Sequence, residues 1–197
     1  SSYGSVSGAF QLNSYSDDIT QLFVDDQPMV SARWPNAQFY DDSIFSHSTW
    51  AEGDEDNSSN GSLTIDESVH NPGSLDLNGS IGVLNIGSFK TWTVEMTGHT
   101  QSASNDVITY NTSDIGTYKD KHHYYFFEGK LNYLDTNNEW FHDKTNNILY
   151  VYPDDGLDPS SRSIKAKTTD YRVTLNGANY LTIKNIFSRF RKDYLVL

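Results

Sequence analysis

The segment Asn176-Gly-Ala-Asn-Tyr-Leu-Thr-Ile-Lys-Asn-Ile-Phe187 constrains the fold more than any other part of the sequence. Leu181, Ile183 and Ile186 are apolar, and Thr182, Lys184 and Asn185 between them are polar. That pattern predicts a short strand with one buried face, opened by an Asn-Gly turn and followed by a second asparagine at a bend. Tyr171-Arg-Val-Thr-Leu-Asn176 is a similar unit just upstream. Two short strands, each beside an asparagine turn, are the pattern of stacked coils in a β-solenoid. The sequence stops ten residues after Phe187, so a solenoid expected here ends uncovered.

The rest of the chain reads as strands. Val6–Leu12 is a strand candidate, and Thr20–Val24 and Pro28–Trp34 flank Asp25-Asp26 as a β-hairpin. Ser46–Gly61 is rich in Asp, Glu, Ser and Asn and reads as a long surface loop. Ile81–Gly87, Thr91–Thr97 and Val107–Tyr110 are further strands, and His122–Phe127 is aromatic throughout, as in a strand covered on both faces. Glu139–Asp143 and Ile148–Tyr152 flank Lys144-Thr-Asn-Asn as a second hairpin, and Ser163–Lys167 is a last strand before the coils. No segment keeps a helical period over three turns; Gly129–Leu134 is the one weak helical candidate. The aromatic content of 14% suits such half-exposed β faces and argues against disorder.

These stretches carry a resemblance. Gln21-Leu-Phe-Val-Asp-Asp-Gln-Pro-Met-Val-Ser-Ala-Arg-Trp-Pro-Asn36 resembles the opening motif of right-handed parallel β-helix (pectate-lyase-like) polysaccharide-processing proteins. Ile81–Trp92, Lys121–Gly129, Glu139–Pro153 and Tyr180–Ile186 follow in the same order. The resemblance implies an all-β chain: a partial right-handed parallel β-helix with a large antiparallel β insert. It implies an initial β-helix strand and hairpin over 1–36, an antiparallel insert over 37–162, and a return to truncated β-helix coils over 163–197. It also implies the N-terminal portion of an exported carbohydrate-active protein, a polysaccharide lyase or glycoside hydrolase, whose catalytic coils lie mostly outside this chain. The alternative is a non-catalytic extracellular module, structural or adhesive, that assembles with further copies of itself through the open end.

Charge and composition bound the partners. The formal charge of −12 repels phosphate backbones, which argues against nucleic acid and for a soluble acidic surface. The absence of cysteine excludes disulfides, zinc–thiolate sites and a cysteine nucleophile. No apolar run approaches the roughly 20 residues that span a bilayer. The expected address is secreted or extracellular, with the periplasm included, any signal having been removed before Ser1. Asn57, Asn60, Asn78 and Asn111 begin Asn-X-Ser/Thr sequons and are candidate glycosylation sites.

The candidate substrate-binding residues are Arg33, Trp34, His122, His123 and Tyr124. Arg33 suits a uronate carboxylate or a local aspartate. Histidine at 122 or 123 suits proton transfer, although neighbours on a strand face opposite ways. Trp34, Trp50, Trp92, Trp140, Tyr124, Tyr125, Tyr150 and Tyr152 offer rings for the C–H face of a sugar or, equally, for core packing. Asp25-Asp26, Asp41-Asp42 and Asp154-Asp155 are turn neighbours rather than a pair held across a glycosidic bond. No metal site is assigned and the catalytic residues stay open. Calcium is conceivable as a cofactor at Asp54-Glu55-Asp56-Asn57, which lacks the spacing and glycine of an EF-hand loop.

Overall fold

The computed structural model describes residues 6–87, 90–102, 106–115, 121, 123–168, 180 and 182. Among these residues, thirteen strands and four short 3-10 turns make up the regular structure. The strands are β1 (Phe10–Asn13), β2 (Gln21–Val24), β3 (Gln27–Ser31), β4 (Arg33–Trp34), β5 (Ala51–Ser59), β6 (Ser62–Ile65), β7 (Ile81–Gly87), β8 (Lys90–Thr100), β9 (Val107–Tyr110), β10 (Tyr124–Glu128), β11 (Glu139–Asp143), β12 (Ile148–Tyr152) and β13 (Ile164–Lys167).

Six of them close a ring. β10 pairs with β5, β5 with β6, β6 with β9, β9 with β8, β8 with β7, and β7 with β10 again, every pairing antiparallel. Closure leaves these strands no exposed backbone edge around the ring, the main hazard of an all-β fold. β10 carries one strand more. Its Phe127 and Glu128 pair with Trp34 and Arg33 of β4, while its Tyr124 and Tyr125 pair with Glu52 and Ala51 of β5. The other six strands form an open mixed sheet in the order β1-β12-β11-β3-β2-β13.

The interior follows from alternation. Tyr125 and Phe127 of β10 are fully buried, with Leu63, Leu84, Ile86, Met96 and Ile108 from the facing strands, and they fill the barrel. A second core of Leu22, Val24, Met29, Trp140, Leu149 and Val151 lies against the open sheet. The barrel has no spare volume beside Gly82, where an added Cβ would run into the sulfur of Met96. Asp25 and Asp26 take φ of 49° and 64°, the left-handed pair that a two-residue hairpin between β2 and β3 requires. That turn is tied to the 153–163 loop by Arg162, which contacts Asp25 at 2.7 Å, Asp154 at 2.6 Å and Asp155 at 3.2 Å.

The chain is all-β, but its pairings correct the expected parallel β-helix and the resemblance that implied it. A β-helix rung needs parallel neighbours; among the described residues only β3 and β11 pair in parallel, through Val30–Glu139 and Ser31–Trp140. β13, expected to lead back into coils, runs antiparallel to β2, with Ile164 opposite Val24 and Lys167 opposite Gln21. The two units read as coils, 171–176 and 180–187, lie outside the described residues apart from Tyr180 and Thr182. The polar stretch read as a loop contains the nine-residue β5. Side chains hold that strand: Ser58 Oγ donates to the Asp54 carbonyl at 2.5 Å and accepts from the Thr64 amide at 3.0 Å, and Thr64 Oγ1 donates to the Asn57 carbonyl at 2.7 Å. The 129–134 segment forms a single 3-10 turn, Leu131–Tyr133.

Candidate functional site: an aromatic face on β10

Alternation sends Tyr125 and Phe127 into the barrel and leaves Tyr124, Phe126 and Glu128 half-buried on its outer face. The loop after β4 folds over that face through two 3-10 turns, Ser43–Phe45 and His47–Thr49. Ser46 caps the second turn by accepting from the Ser48 amide at 3.2 Å, and Thr49 Oγ1 donates to the carbonyls of Ser43 and Ser46 at 2.8 and 3.0 Å. These bonds aim two rings at β10. His47 stacks on Tyr124 with centroids 4.9 Å apart and planes at 27°, and Trp50 meets Phe126 edge-on at 4.7 Å and 85°. His47 is exposed and the other three rings are half-buried. The same loop carries Tyr40 and Phe45, which are 69% and 67% exposed. Phe45 packs edge-on against Phe39 at 6.4 Å.

Arg33 anchors the loop from below. It is 3% exposed, and its guanidinium carbon lies 3.8 Å from the centre of the Phe126 ring. Its Nε donates to the Pro35 carbonyl at 2.9 Å and its Nη2 to the Thr49 carbonyl at 2.7 Å. Burial lowers its pKa to about 10, against the opposing pull of Glu128 and Glu139. Burial also raises Glu128, an effect that Arg33 counters. Glu139 is fully buried and is pushed up to about 8, first by desolvation and then by Asp135, while the amides of Arg33, Thr136 and Asp135 oppose the rise. Its Oε1 accepts from the Arg33 amide at 3.4 Å, and its Oε2 has no partner within hydrogen-bond distance among the described residues.

Three of the five residues singled out in sequence lie on β10 or on β4, the strand paired with it. Arg33 and Trp34 of β4 stand opposite Glu128 and Phe127, and Tyr124 is at the other end of β10, beside β5. Trp34 faces the opposite way from Arg33, stacked on Phe127 at 5.8 Å and 12° and touching His70 edge-on at 6.1 Å. His123 is fully buried, and His122 lies outside the described residues. Two partners of the face, His47 and Phe126, escape sequence reasoning, because one sits in a polar stretch and the other in an unbroken aromatic run. Trp50, a lone indole in that polar stretch, was the legible signal. Trp140 and Tyr125 are core residues, and Trp92 is half-buried against the barrel core.

Two further histidines, the candidate sequons and Asp54 lie apart from this face. His99 Nε2 lies 3.1 Å from Asp106 Oδ2 and its Nδ1 3.4 Å from the Leu75 carbonyl, while His142 Nε2 lies 3.1 Å from the Tyr15 carbonyl. Asn57, Asn60, Asn78 and Asn111 are all exposed. Asp54 accepts from the Asp56 amide at 3.0 Å and the Asn57 side chain at 2.7 Å. Among the described residues, no three His, Asp or Glu side chains converge as a metal site. No helix among them is long and apolar enough to cross a membrane.

No protein-family description matches the chain, and no curated protein matches it in sequence. One solved structure, named "Glycoside hydrolase", has a similar fold: TM-score 0.55 at 15% identity, over 80% of this chain. The chain spans 28% of the length of that protein. The likeness establishes a shared β architecture.

Proposed function

We propose that this chain is a carbohydrate-binding β module of a polysaccharide-processing protein that works outside the cell. The observation that carries the reading is the row of rings on the outer face of β10, where His47 and Tyr124 stack and Trp50 meets Phe126. Tyr124, Phe126 and Trp50 are half-exposed and already held by neighbouring rings and by Arg33, so rings of this kind can take the C–H side of a pyranose at little entropic cost. Tyr124 and Trp50 are the rings of this row read from sequence, and Trp50 has the largest. Arg33 serves the row by fixing the loop that carries His47 and Trp50, since its donors are taken up by the Pro35 and Thr49 carbonyls. The name of the structural neighbour supports the carbohydrate part of the reading. The extracellular part rests on where the bulk of polysaccharide is met, in walls and matrices outside the cell.

The test is retardation in native gels cast with neutral and acidic polysaccharides, comparing the chain with Trp50→Ala and Tyr124→Ala. The expected result is retardation by at least one polysaccharide, lost in both variants while their circular dichroism is unchanged. Absence of retardation across the panel, or variants that migrate like the parent, overturns the reading.

A further inference from the structure

A shallow, open cleft of about 330 Å³ lies where the chain leaves β1, at the β1–β12 end of the open sheet, lined by Asn13, Ser14, Ser16, Asn146, Asn147 and Ile148. Its walls are tied together. β1 and β12 pair with Asn13 opposite Ile148, the Tyr15 amide donates to the Asn147 carbonyl at 2.9 Å, and His142 Nε2 sits 3.1 Å from the Tyr15 carbonyl. Ser14 and Asn147 are held at φ of 64° and 55°, which turns both chains around the opening.

The chemistry of the lining is uniform. None of the six side chains ionises. Asn146 Nδ2 donates to Asp143 Oδ2 at 2.7 Å, which leaves its carbonyl oxygen as an acceptor. Asn13 Oδ1 receives Gln11 Nε2 at 3.5 Å, which leaves its NH2 as a donor. Among the described residues the side chains of Ser14, Ser16 and Asn147 make no hydrogen bond. The cleft thus offers both donors and acceptors beside one aliphatic side chain, Ile148. An anion would need a cation here, yet Lys144, the basic residue of the adjoining turn, is paired with Asp18 at 2.6 Å. Neighbouring sugar hydroxyls donate and accept together and match amide and hydroxyl groups of this kind, and a volume of roughly 300 Å³ holds only a small ligand.

We infer that this cleft is a second subsite, which takes one uncharged sugar unit such as a neutral chain end. The inference rests on the carbohydrate reading and deepens it by naming the ligand class.

The experiment is a two-dimensional amide NMR titration of the whole chain with methyl glycosides of glucose, galactose, mannose and xylose, and with galacturonate as the charged control. Asn147→Gly and Ser14→Gly remove side chains while keeping residues that tolerate positive φ. The expected result is movement of the Asn13, Asn146 and Asn147 side-chain signals with at least one neutral glycoside. That binding weakens about tenfold in either glycine variant, is unchanged in Trp50→Ala, and is not shared by galacturonate. If no neutral glycoside moves these signals, or the glycine variants with otherwise unchanged spectra bind equally well, the inference fails. The two readings separate cleanly: still cleft signals with polysaccharide retardation that Trp50→Ala abolishes sink the cleft alone. Cleft binding alongside retardation that survives Trp50→Ala sinks the aromatic face alone.

Discussion

Arg33 lies face-on over Phe126, its guanidinium carbon 3.8 Å from the ring centre, with two of its donors fixed on the backbone of the loop it supports. A buried guanidinium in this position joins the barrel to the 35–50 segment from the side of β4, beside the ring contacts of His47 and Trp50. Arg33→Ala should cost roughly 2–4 kcal/mol, because it leaves two carbonyls without a donor and opens a void beside Phe126. Arg33→Lys should recover part of that and no more, since an ammonium lacks the planar fork. Urea unfolding measures the loss. Limited proteolysis should show cleavage within 36–49 appearing first in the alanine variant.

Glu139 gives the fold a definite pH dependence. An unfolded chain gives up this proton near the ordinary value of 4.5, whereas the folded chain holds it to about 8. Between those values the native state binds more protons, so stability falls as pH rises, by up to about 1.4 kcal/mol per pH unit. The contribution is fully present below the unfolded value and is lost as pH passes through the folded one. Glu139→Gln keeps an oxygen for the Arg33 amide and has no proton to lose. Its unfolding free energy should follow a flatter profile across this window and exceed that of the parent at about pH 8. Parallel profiles for the two proteins would show that Glu139 stays ionised in the fold.

Gly82 and Met96 share one space inside the barrel. Gly82→Ala should cost about 1–3 kcal/mol by forcing the Met96 sulfur aside. Met96→Ala alone should cost about 2–5 kcal/mol through the cavity it opens. The double variant should cost less than the sum, because the new methyl group occupies part of the vacated volume. A double-mutant cycle by chemical denaturation reads the coupling directly. Strict additivity would mean that the barrel relaxes around Gly82 without involving Met96.

Much of the strand content was legible because alternation reports which residues share a face. Val94 and Met96 of β8, and Ile108 and Tyr110 of β9, are buried at alternate positions of strands expected from sequence. Alternation does not report the direction of the neighbouring strand, and that is where the β-helix reading failed. Ile164–Lys167 looks the same in sequence whether it climbs a coil or runs back along β2. β5 was illegible for another reason: its polar residues earn their place through Ser58 and Thr64 bonding to backbone rather than through an apolar face. The candidate site was half legible. Arg33, Trp34 and Tyr124 stand out by type, but His47 reaches Tyr124 only through the folding of a loop that carries no periodic signal.

β10 occupies the gap between β7 and β5, and it is also the latest part of the ring in chain order. Until residues 124–128 have been made, the cylinder is a sheet with two raw margins, one on β5 and one on β7. Closing it joins segments more than sixty residues apart in the case of β5, a slow, non-local step. Fragments that stop short of Tyr124 should therefore clump rather than fold, and the strand that presents the rings is also the clasp that covers both margins of the cylinder.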